Sequence, residues 1–127
     1  PKRYATYFFA APTPPGEVVI DEGEIRDSKW MRAADAIAQR DAGEVELAPP
    51  TWMTLWLLSS FTNVAQLLAH AQAAEPEFFV TKVADDDGTL VAMWAGDAGY
   101  DTDAPNSPGA RNRLLMGNDG WQLHRSE

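Results

Sequence analysis

Residues 3–11 read RYATYFFAA, and the fold turns on how that run is taken. As a strand it places Tyr4, Thr6, Phe8 and Ala10 on one face, with Ala5, Tyr7, Phe9 and Ala11 on the other. Both faces are largely apolar or aromatic, so the pattern predicts a strand covered on both sides rather than an edge ribbon. Only Pro1 and Lys2 precede it. An interior strand needs neighbours, and nothing ahead of this one supplies them. The expectation is a sheet completed by another segment.

Working outward, APTPPGEV (residues 11–18) is a proline-rich loop, and Val18–Ile20 suits a short strand. DEGEIRDSKW (residues 21–30) reads as an acidic turn followed by a strand ending at Trp30. Met31, Ala34, Ile37 and Ala38 recur at helical spacing, and Gly43 stands where a left-handed C-cap belongs. The prolines of GEVELAPPT hold the chain extended until Pro50, which a first helical turn accepts. Trp52, Met53, Leu55, Trp56, Leu57, Leu58 and Phe61 then make a helix that is apolar nearly all round, expected to be buried on most sides or to form a dimer face. Thr62 or Asn63 caps the next helix, whose inward stripe is Val64, Leu67, Leu68 and Ala71, and Pro76 ends it. Beyond it, Asp87-Gly88 and Asp119-Gly120 centre two hairpins, separated by the loop GDAGYDTDAPNSPGA. The fold class that follows is α+β, a mixed sheet with helices and closing β-hairpins. It divides into residues 1–75 and a hairpin-rich extension, 76–127, packed on the same domain.

The totals narrow the function. A chain of 127 residues carries one core, and its net charge of −9 argues against a nucleic-acid or anionic-membrane surface. With no cysteine, disulfides, thiolate metal sites and thiol nucleophiles are excluded. The greasiest run, Trp52 to Leu58, falls far short of the roughly 20 residues that span a bilayer. The expected setting is cytoplasmic. Asp85-Asp86-Asp87-Gly88 lacks the alternating ligands and distal glutamate of a calcium loop and reads as a turn. Asp97, Asp101 and Asp103 read as a mobile acidic loop, and His70 and His124 as surface residues.

In combination, RYATYFF, D-x-x-E at Asp21 and Glu24, Trp30 with the AADAI helix, and LAPPT opening another helix resemble the second half of a Nudix hydrolase. The likeness is to the branch that includes the coenzyme A diphosphatases and their bacterial relatives. It covers residues 3 to 70, and Ala33 or Ala34 stands where that branch usually has proline. The resemblance implies a partial Nudix-type α/β/α sandwich. It also implies hydrolysis of a diphosphate linkage in a nucleotide derivative by metal-assisted attack of water, with Mg²⁺ or Mn²⁺ held by box glutamates. That box is absent. Gly16 and Glu22 match its first spacing, but the required arginine falls at Trp30. The chain is then expected to be inactive alone, with its front half supplied in the same or another chain; a homodimer is the other way to cover its open edge.

The same resemblance selects the candidate site residues. Glu24 is a loop carboxylate of the kind some members recruit as base or metal ligand, so it is the catalytic candidate. Arg3 would meet a phosphate with its fork of donors, and Tyr4 and Phe8 would stack on a base or flank an acyl chain. The metal ligands themselves are expected in the missing box. The alternative is a non-catalytic nucleotide-binding or dimerisation module of α+β type.

Overall fold

Two tight turns organise the second half of the chain. In the computed structural model, which describes residues 4–21, 23, 25 and 27–126, Asp87 and Gly88 take φ values of 50° and 88°. These are the paired positive values of a turn whose twist matches that of the strands it joins. The Asp85 carboxylate accepts the Gly88 amide hydrogen at 2.9 Å and fixes the corner between β1 (Lys82–Asp86) and β2 (Thr89–Met93). A second pair, β3 (Asn112–Gly117) and β4 (Gly120–Arg125), closes through Asn118 and Asp119, with Gly117 opposite Gly120. The four strands form one antiparallel sheet in the order β1-β2-β3-β4.

Register sets its faces. Lys82, Met93, Arg113 and His124 form one row across the sheet, and Val83, Ala92, Leu114 and Leu123 the next. Neighbouring rows point to opposite faces. Val91, Ala92, Met93 and Leu114 are all fully buried, so the middle of the sheet is covered on both sides.

Helices precede the sheet: α1 (Ala33–Asp41), α2 (Pro49–Ser59) and α3 (Val64–Ala73). After α1, the Gly43 amide donates to Arg40 O and the Glu44 amide to Gln39 O, with Gly43 at φ 75°, a left-handed cap of the kind its position predicts. Asn63 caps α3 by accepting the Gln66 amide hydrogen at 3.0 Å, while the Gln66 side chain accepts from Thr62 N and Oγ1. The architecture is α+β. The chain forms two compact units, Pro1–Ala38 with Pro50–Glu75, and Gln39–Pro49 with Pro76–Glu127. No helix among the described residues is long and apolar enough to cross a membrane.

Several local expectations fail in the first unit. Residues 4–11 form no strand, nor do Val18–Ile20 or the described residues leading to Trp30, 27–30. Ladder hydrogen bonds to a neighbour hold a strand together, and no described residue pairs with these segments. Phe9 is 90% exposed and Trp30 72%, the reverse of an interior strand. Helix α2 buries Trp52 and Met53 but leaves Trp56 and Leu57 exposed one turn further along the same face. In α3 no residue is fully buried; Leu67 and Leu68 are half-buried, and Val64 and Ala71 are exposed.

Candidate functional site

Of the sequence-predicted site residues, Tyr4 and Phe8 are among those described. Arg3 and Glu24 lie outside the described residues. Tyr4 and Phe8 are 80% and 65% exposed, in a segment where Tyr7 and Phe9 stack with centroids 6.4 Å apart. Asp21 folds back on its own loop, its carboxylate accepting the amide hydrogens of Gly23 and Ile25. His70 is exposed and lies 5.1 Å from the Phe61 ring, and His124 is exposed on β4. Among the described residues no group of three or more His, Asp or Glu side chains is placed to hold a metal ion.

The most ordered polar geometry lies where a mobile acidic loop was expected. Asp97 is buried, and each carboxylate oxygen accepts twice. Oδ1 takes the Gly99 amide at 2.8 Å and Arg113 Nη2 at 2.6 Å; Oδ2 takes the Asn112 amide at 2.9 Å and Arg113 Nε at 2.7 Å. Arg113 Nη1 donates to Pro105 O at 2.8 Å. The fork of Arg113 thus ties β3 to the start of the loop at Asp97 and to its middle at Pro105, an arrangement that also satisfies the carboxylate's acceptors. Arg113 and the two amides hold Asp97 well below the usual carboxylate range, outweighing the opposing effect of burial. The pairing in turn raises Arg113 above its ordinary value.

Other contacts finish the clasp. Lys82 pairs with Asp103 at 3.1 Å and sits 4.9 Å from the Tyr100 ring centroid, while Tyr100 Oη donates to Val80 O. Lys82, Met93 and Arg113 share one row, so this loop covers one face of the sheet. Gly99 is where it comes closest. A Cβ there would collide with the Ala104 carbonyl oxygen and lie 3.1 Å from Met93 Sδ. Gly99→Ala is expected to lower stability by about 1–3 kcal/mol, read as a shift in urea midpoint at unchanged slope.

Sequence reasoning missed this pair. The available signal was Arg113 itself, a charge in a strand whose other central residues are Leu114, Leu115 and Met116. An arginine at a buried strand position needs a carboxylate, and Asp97 opens the loop that returns to it.

Two clefts open on this second unit. One, of about 490 Å³, lies between residues 40–47 and the β3–β4 turn, where Arg40 covers the Trp121 ring at 4.0 Å. Its own cation fills the aromatic face. The other, of about 370 Å³, is lined by Phe78, Phe79, Gly96, Arg111 and Arg125 among others. No family model, no curated protein and no solved structure matches the chain.

Proposed function

We propose that this chain serves as the back half of a Nudix-type hydrolase that cleaves a diphosphate linkage in a nucleotide or coenzyme A-like substrate. In this reading it contributes part of the substrate-pocket wall and not the metal-holding carboxylates. The support is the combination Tyr4–Phe9, Asp21, Trp30, AADAI and LAPPT in one order and spacing. The observation that carries it furthest is exposure. An aromatic run patterned for a strand covered on both faces has no partner among the described residues, with Phe9 at 90% and Tyr4 at 80%. Large exposed apolar surface marks a surface that something else covers. In the parent protein that cover is the sheet and catalytic helix of the front half. Mg²⁺ or Mn²⁺ belongs to that half, and a cytosolic setting goes with a phosphorylated metabolite as substrate.

The same exposure favours a second reading, a non-catalytic module in which the aromatic segment is a dimer face. The encoded sequence ahead of Pro1 separates the two. A glycine, a glutamate and an Arg-Glu pair at Nudix-box spacing are expected there; an unrelated domain would overturn the hydrolase reading. A dimer persisting at low concentration by sedimentation, indifferent to nucleotides, would favour the module.

A further inference from the structure

The 370 Å³ cleft carries an inference that does not rest on the hydrolase reading, since every residue lining it belongs to the Gln39–Pro49 and Pro76–Glu127 unit. Charge bookkeeping in that unit is nearly complete. Arg40 pairs with Asp41, Lys82 with Asp103, Arg113 with Asp97 and Arg125 with Glu77. Arg111 is the exception. It is half-buried, its Nη1 donates to Ser107 O at 2.8 Å, and no carboxylate among the described residues lies within ion-pair distance. In a chain with 19 acidic side chains and 10 basic ones, a guanidinium at a cleft wall with no carboxylate partner among the described residues is the anomaly that needs a use.

The surroundings point to one kind of occupant. Arg111 is held in place from both sides: its amide donates to Ser126 Oγ at 2.8 Å and its carbonyl accepts the Ser126 amide at 2.7 Å. Opposite, Glu77 engages Arg125 through both carboxylate oxygens, so the Glu77 charge is already committed. Phe79 is fixed edge-on to Trp94 at 5.2 Å with Arg125 5.7 Å above its ring, and Phe78 stands 80% exposed beside it. Gly96 and Ala110 keep the remaining wall low. A cleft of this size suits a small molecule, and its polar and aromatic walls dictate which end goes where.

We infer that this cleft binds a small organic anion, a carboxylate or phosphate carried on a flat apolar body, with the oxyanion on Arg111 and the body against Phe78 and Phe79. A guanidinium presents parallel donors that match two oxygens of either group. The aromatic pair supplies the apolar area that a bare inorganic ion would not use.

The test is amide NMR of the full chain titrated separately with benzoate, phenyl phosphate, inorganic phosphate and benzylamine. Benzoate or phenyl phosphate is expected to shift the amides of Gly96, Arg111 and Asn112 with an affinity on the order of millimolar. The stronger of the two identifies the oxyanion. Arg111→Gln is expected to weaken that binding at least about tenfold, and Phe78→Ala, at an exposed position, about threefold. Dispersion of the spectrum reports whether each variant is folded, and Phe78→Ala keeps the test decisive if Arg111→Gln is not. Silence at those amides up to about 10 mM of both anions would overturn the inference. So would equal binding of benzylamine, or affinity unchanged in the folded variants.

Discussion

Replacing Asp97 by asparagine is expected to cost roughly 3–5 kcal/mol of unfolding free energy, the range for breaking a buried ion pair by removing one partner. The side chains of Arg113 and Asp97 are 4% and 0% exposed, so the arginine left behind would be an uncompensated charge under the loop. Against a total stability of about 5–15 kcal/mol, that loss is large. Removing both charges should cost less than removing one. Asp97→Leu combined with Arg113→Met is therefore expected to recover much of the loss, whereas two solvated charges would each lose under about 1 kcal/mol and show no such recovery.

The same pair sets an acid limit. Asp97 is held well below its unfolded value, chiefly by Arg113. A carboxyl depressed in the folded state contributes stability fully above the unfolded value of about 3.9, and that contribution is lost as pH falls from there toward the folded value. The native chain should lose stability steeply below about pH 4, and Asp97→Asn should lack that component. Urea midpoints across the acid range measure both.

The hairpins were legible because their chemistry is local. Asp87-Gly88 fixes its turn within a few residues, and Asn63 and Gly43 announce helix ends in the same way. The turn of the second hairpin falls at Asn118 and Asp119, a residue ahead of the Asp119-Gly120 centre read from sequence. The opening run failed for the opposite reason. Alternation at Tyr4–Ala11 states what the segment suits, but a strand exists only where a second strand accepts its hydrogen bonds. Helix α2 shows the same limit, since an apolar circumference does not say how far along the helix its cover extends, and Trp56 and Leu57, one turn beyond the buried Trp52 and Met53, remain exposed. Asp97 was misread because composition alone made its loop look solvated. The partner that buries it lies 16 residues on, in a different element.

The second large effect is catalytic. Metal-assisted diphosphate hydrolysis needs carboxylates gathered around a cation, and no group of three such ligands occurs among the described residues. The exposed aromatic segment would then be a docking strand for the part that carries them. Under the proposed function, joining the chain to its encoded upstream sequence should raise the rate of diphosphate hydrolysis at least about 10⁶-fold.

The proposed function has these 127 residues complete a catalytic carboxylate centre carried by another segment. Product release from ADP-ribose or coenzyme A with Mg²⁺, compared between the chain alone and the upstream-extended chain, tests this most directly. Turnover confined to the longer protein is the predicted result; hydrolysis by the short chain, or none by either, would contradict it.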